Sequence, residues 1–150
     1  MQRKKILSML ISLCMVFAMV IPCYAAEPQE ILVSESHEVL DNGMECVTTI
    51  TMSPSYARSS TKNGTISKNY SYSGKVVANV ILNATFTYDG STAKATGAYG
   101  SHSVASGWSY SGESTWCSGS TARLTATVSG SGHSIPVSLS LTCSPSGTLS

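Results

Sequence analysis

Hydrophobic and polar positions alternate with period two from Lys75 to Tyr88. Val76, Ala78, Val80, Leu82, Ala84, Phe86 and Tyr88 fall on one face. Asn79, Asn83, Thr85 and Thr87 dominate the other, with Val77 and Ile81 as exceptions. Successive side chains of an extended chain point to opposite sides of a sheet, so the pattern predicts a half-buried strand. Asp89-Gly90 follows and suits a type I′ hairpin turn, whose central residues need positive φ. Ala93, Ala95, Gly97 and Tyr99 then continue the inward face on a return strand.

The C-terminal part repeats the logic. Ala122, Leu124, Ala126 and Val128 alternate with Thr121, Arg123, Thr125 and Thr127. Ser129 to His133 reads as a loop, after which Ile135, Val137, Leu139 and Leu141 alternate with polar residues and Pro136. A proline cannot donate to a ladder, so this strand is expected at a sheet edge. Upstream, Ile31 to Leu40 and Glu45 to Met52 flank Asp41-Asn-Gly43, the pattern of a first hairpin. Ser53 to Asn63 reads as a polar connection, and Trp108 to Cys117 as one or two short strands. After Ile21 no stretch carries a helical apolar stripe. Seven to nine strands in about 120 residues predict an all-β chain, a single antiparallel β-sandwich of immunoglobulin-like or Greek-key type, with a barrel as the alternative.

The first 25 residues do not belong to that pattern. Arg3, Lys4 and Lys5 precede the apolar run Ile6 to Ile21, and Cys23-Tyr-Ala-Ala26 ends it with small residues. This is the order of a secretory signal peptide, too short to span a bilayer, with cleavage expected after Ala25. Pro22 before Cys23 argues against lipidation there. The expected organisation is signal peptide 1–25, an acidic segment with the first strand at 26–45, and the sandwich at 46–150. A secreted, extracellular protein without stable membrane insertion follows from it.

Composition then separates β structure from disorder. From Glu27 onward the chain holds 26 Ser, 15 Thr and 12 Gly among 124 residues, a bias that disorder would carry without periodicity. The charge balance is +1 overall. Without its signal the chain has no basic excess, so nucleic acid is not an expected partner. Six acids between Glu27 and Glu45 stand against a mildly basic remainder. They read as solvated edge charges, or alternatively as a removable segment masking an antimicrobial or toxin-like domain.

Cys46, Cys117 and Cys143 remain after signal removal. With Val128 opposite Ile135, Ser120 falls opposite Cys143 and Cys117 lies just past the end of the ladder. That makes Cys117–Cys143 the favoured disulfide and Cys46–Cys143 its rival. No Cys-x-x-Cys is present and the three histidines lack ligand spacing, so neither a metal nor a cofactor is expected.

No Gly-x-Ser-x-Gly elbow, Walker loop or dinucleotide motif appears. Past Cys46 the acids are Asp89 and Glu113, which leaves Glu113 as the one residue to test for catalysis. The chain is therefore not read as an enzyme. Trp108 and Tyr110 share a strand face, and Trp116 follows; aromatic faces stack on sugar rings and peptide groups. Taken alone, Trp108 reads as the large core residue of a sandwich poor in bulk, while Tyr110 and Trp116 are better surface candidates. The functional expectation is a binding module for glycan, cell-wall or host-surface ligands through these three aromatics.

Leu40-Asp-Asn-Gly43, Thr48-Thr-Ile50, Ser73-Gly-Lys75, Ala84-Thr-Phe-Thr-Tyr-Asp-Gly90, Ser118-Gly-Ser-Thr-Ala122, Leu141-Thr-Cys-Ser144 and Gly147-Thr-Leu-Ser150 recur in one order. In that order the chain resembles a family of small secreted β-rich proteins of Gram-positive (Firmicutes-type) gut bacteria. The resemblance implies export and one compact β domain, and brings no catalytic residue with it.

Overall fold

A computed structural model describes residues 29–54 and 60–150. The signal peptide and its cleavage site lie outside the described residues. Within them the chain forms eight strands: β1 Ile31–Val39, β2 Glu45–Met52, β3 Thr61–Tyr72, β4 Lys75–Tyr88, β5 Ala93–Val104, β6 Trp108–Ser118, β7 Thr121–Gly130 and β8 His133–Thr142. The first five make one antiparallel sheet in chain order, and the last three make a second. The all-β, two-sheet architecture matches the expectation. The connections do not: each ladder joins sequence neighbours, so the chain is a meander in two sheets rather than a Greek key or an immunoglobulin-like arrangement.

Tight turns account for the meander. Ser73-Gly74 and Ser131-Gly132 each place two consecutive residues at positive φ, the requirement of a type I′ hairpin. The expected loop at Ser129 to His133 thus shrinks to two residues. The turn after β4 differs in the other direction. Tyr88 pairs with Ala93, leaving four loop residues, and the Asp89 carboxylate accepts backbone N–H bonds from Ser91 (2.8 Å) and Thr92 (2.7 Å). Those bonds hold the Asp89 carboxyl below its usual range, and they replace the predicted type I′ geometry.

The core lies where β3, β4 and β5 face β6, β7 and β8. Phe86, Leu82, Val80, Leu124, Val128, Val137, Leu139 and Leu141 are fully buried there, each worth about 1.5–3 kcal/mol by burial of apolar surface. β1 and β2 overhang this packed region, and β1 is exposed along its length except at Val33. The C-terminal tail turns back on β8: Thr142 and Ser150 exchange both backbone hydrogen bonds. Leu149 is buried over Gly64 and Leu141, where a side chain at position 64 would collide with it.

β3 has no counterpart in the sequence pattern. Its inward positions are Lys62, Gly64, Ile66, Lys68 and Tyr70, too polar to read as a core face; it is placed by hydrogen bonding to β2 and β4.

Besides a bulge at Val33 in β1, three bulges shift the alternation elsewhere. One extra residue re-aims everything after it. In β4 the extra residue is Val77, which is buried, while Val76 is 60% exposed. In β5 the extra residue is Thr96: Ala98 and Gly100 turn inward, and Gly97 and Tyr99, expected inside, turn out. The third lies in β6, among the candidate site residues.

Candidate functional site

In β6, Ser111 pairs with Thr127 and Ser114 with Thr125, so Gly112 and Glu113 together oppose Ala126. Gly112 adopts φ 67°, the left-handed conformation a bulge glycine supplies without steric cost. The aromatics are separated by it. Trp108 pairs with Gly130 and Tyr110 with Val128, on the inner face; Trp116 pairs with Arg123, on the outer face. The three candidate ligand residues therefore do not form one surface.

Each has its own surroundings. Trp108 is half-buried over Gly130, where an added Cβ would stand 2.5 Å from the indole, and it meets the Tyr72 ring edge-on at 6.2 Å. It closes one end of the core. Tyr110 stacks on His102 of β5 at 3.7 Å with the rings inclined by 19°. Its hydroxyl donates to Glu113 Oε2 at 2.7 Å, and His102 Nδ1 lies 3.9 Å from the same oxygen. Burial, reinforced by the Glu113 carboxylate, pushes the Tyr110 phenol above its ordinary range. Gly100 provides the space for Glu113, since a Cβ there would lie 2.6 Å from Glu113 Oε1. Glu113 thus joins the two sheets at their seam. Only Trp116, 40% exposed, is presented to solvent.

Among the described residues Cys46, Cys117 and Cys143 form no disulfide with one another. Cys46 and Cys143 are buried and Cys117 is exposed. The predicted register is present, with Val128 opposite Ile135 and the Cys143 N–H bonded to the Ser120 carbonyl. The Cys117–Cys143 bridge is not formed. β6 and β8 flank β7 on opposite sides, so the two cysteines sit two strand spacings apart, about 9.5 Å, beyond the Cα separation a disulfide tolerates. The Cys46–Cys143 alternative also fails: Cys46 lies beside Tyr70 at one end of β3, and Cys143 interacts with Lys62 near the other. Among the described residues no group of three or more His, Cys, Asp or Glu side chains could hold a metal ion.

The outer face of the five-stranded sheet forms the most regular polar surface. Register places Thr51, Thr65, Asn83 and Tyr99 in one row; Thr49, Ser67, Ile81 and Ser101 in the next; and Val47, Asn69, Asn79 and Ser103 in the third. Asn63, Thr85 and Gly97 add a shorter row. None of these side chains is charged; on β1 the rows of Thr49 and Val47 end at Glu35 and His37. Cross-strand hydrogen bonds join Thr65 to Asn83 (3.0 Å), Asn79 to Asn69 (2.5 Å) and Thr85 to Asn63 (2.9 Å). Each amide is thereby fixed in orientation while keeping donors or acceptors for solvent. Tyr99, 64% exposed, provides an aromatic on the β5 side of the face. Sequence reasoning missed this surface because the β5 bulge hid the outward direction of Tyr99.

Comparison with protein-family models, with characterised proteins and with solved structures finds no match to this chain.

Proposed function

We propose that this protein is a secreted, non-catalytic binding module for an extracellular glycan, such as a cell-wall or host-surface polysaccharide. The uncharged amide–hydroxyl rows of the five-stranded sheet carry the reading. Asn, Ser and Thr each offer donors and acceptors, the complement of a neutral polyol, and Tyr99 adds a ring on which a sugar can stack. Hydrogen bonds between the rows reduce the side-chain freedom lost on binding. The signal-like N-terminus and the resemblance to small secreted proteins of Gram-positive gut bacteria support an extracellular setting.

In this reading Glu113 serves the seam, where its carboxylate accepts a hydrogen bond from the Tyr110 hydroxyl and stands beside His102. Trp116 and Arg123 belong to the opposite sheet and mark the competing face. The test is a pull-down of residues 26–150 on purified cell wall, mucin and a glycan panel. Tyr99→Ala and Asn83→Ala should abolish saturable binding while circular dichroism stays unchanged. Loss with Trp116→Ala and retention with Tyr99→Ala would move the site to the three-stranded sheet. Absence of binding to every glycan would overturn the reading and favour the alternative of an antimicrobial or toxin-like domain masked by the acidic segment.

A further inference from the structure

A cleft of about 350 Å³ opens on the other side of the five-stranded sheet, between the β1–β2 hairpin, β3 and the start of β8. Leu40, Tyr70, Ile135 and Pro136 form its apolar walls, and Glu38, Asp41 and Lys68 bring charges of both signs to it. Its volume is within the range of small-ligand sites. Among the described residues Lys68 forms no ion pair with either carboxylate.

The sheet keeps these charges apart. Glu38, Cys46 and Tyr70 make one row across β1, β2 and β3, and Lys68 stands two residues along β3 from Tyr70. β1 and β3 are two strand spacings apart, about 9.5 Å. Buried Cys46 and Tyr70, joined by a side-chain hydrogen bond, lie between them. Opposite charges held apart in a concave site match a ligand that carries the opposite charge at each end.

The edge of β8 narrows the choice further. Thr142 bonds outward to Ser150, and alternate residues of an antiparallel strand face the same side. Ser140, Ser138 and Pro136 therefore face the free edge as well. Pro136 has no N–H to offer there, so a long strand cannot zip along β8 past the cleft.

We propose that this cleft binds a short peptide with free termini, its ammonium group at Glu38 and Asp41 and its carboxylate at Lys68. The cleft's volume of about 350 Å³ has room for two or three small residues. A small side chain packs against Leu40, Ile135 and Pro136. The site is independent of the glycan face, so either reading can fail alone.

Calorimetric titration of residues 26–150 with trialanine tests it. N-acetylation or C-terminal amidation should each weaken binding at least about tenfold, and alanine alone should bind more weakly than trialanine by a similar factor. Lys68→Met should lose discrimination against the amide while still rejecting the acetyl form. Glu38→Gln combined with Asp41→Asn should do the reverse. A misfolded variant would lose both, and the crossed pattern excludes that explanation. D-Ala-D-Ala against L-Ala-L-Ala separates a cell-wall stem source from a protein source. Equal binding of doubly capped trialanine, equal binding of alanine, or no heat with any peptide up to about 10 mM overturns the proposal.

Discussion

The imidazole of His102 and the phenol of Tyr110 stack 3.7 Å apart across the seam between the two sheets. His102 comes from the last strand of one sheet and Tyr110 from the first strand of the other, so the stack ties them beside their single covalent crossing. Glu113 completes the contact by accepting a hydrogen bond from the Tyr110 hydroxyl.

Alkaline titration should expose this seam. The Tyr110 phenol is raised from its ordinary value of 10.0, first by burial and then by the Glu113 carboxylate. A raised folded pKa means the neutral form is favoured in the native state. Its stabilising contribution is complete below the unfolded pKa and is lost as pH climbs from there through the folded value. Stability measured by urea midpoint should fall above about pH 10, and Tyr110→Phe should reduce that dependence. Identical alkaline profiles for both proteins would remove Tyr110 from the seam's pH response.

Thiol reactivity should divide two to one among Cys46, Cys117 and Cys143. Cys117 is exposed, whereas Cys46 and Cys143 are buried. A thiol reagent should label one cysteine in native protein and all three after denaturation. Detection of a single thiol under denaturing, non-reducing conditions would require a disulfide.

The two tryptophans should behave as opposites. Trp108 packs on Tyr72 and Gly130, so Trp108→Ala should cost about 2–4 kcal/mol as a cavity-forming change. Trp116→Ala should stay within about 0.5 kcal/mol as a surface change. Chemical denaturation of both variants is sufficient; equal costs would contradict the division of these residues by the β6 bulge.

Gly130→Ala should be more damaging than Gly64→Ala. A methyl at 130 meets the Trp108 ring at 2.5 Å and the Gly107 carbonyl at 2.8 Å, and the latter is backbone. At 64 the obstruction is the flexible end of Leu149. Overpacking of the first kind costs about 1–3 kcal/mol, so the Gly130 variant should show the larger drop in denaturation midpoint.

The alternations of β4, β7 and β8 were legible because long runs of period two have one structural reading. Val77, Thr96 and the Gly112–Glu113 pair defeated the same logic locally. A bulge inserts one residue without a compositional mark strong enough to announce it: Val77 reversed Val76 before it, and the other two reversed the faces that followed. That is why Tyr99 read as core and why the aromatics of β6 were grouped. β3 was unreadable for another reason: Lys62 and Lys68 face the inner side, Lys62 with its ammonium on the Gly147 carbonyl and Lys68 at the open cleft. The Asn and Thr residues of the outer face were visible singly, but their assembly into rows depends on a register that spans four strands.

The two sheets are joined by one short link, residues 105–107, with Gly107 at φ 83°. Every other backbone ladder stays within its own half. The molecule is thus a book with one hinge, and straightening that hinge would let β6–β8 of one copy close against β1–β5 of another through the same core contacts. Exchange of halves is a low-cost route to dimers where a hinge loop is altered. Residues 105–107 are therefore the place where a change of backbone geometry would favour such an exchange.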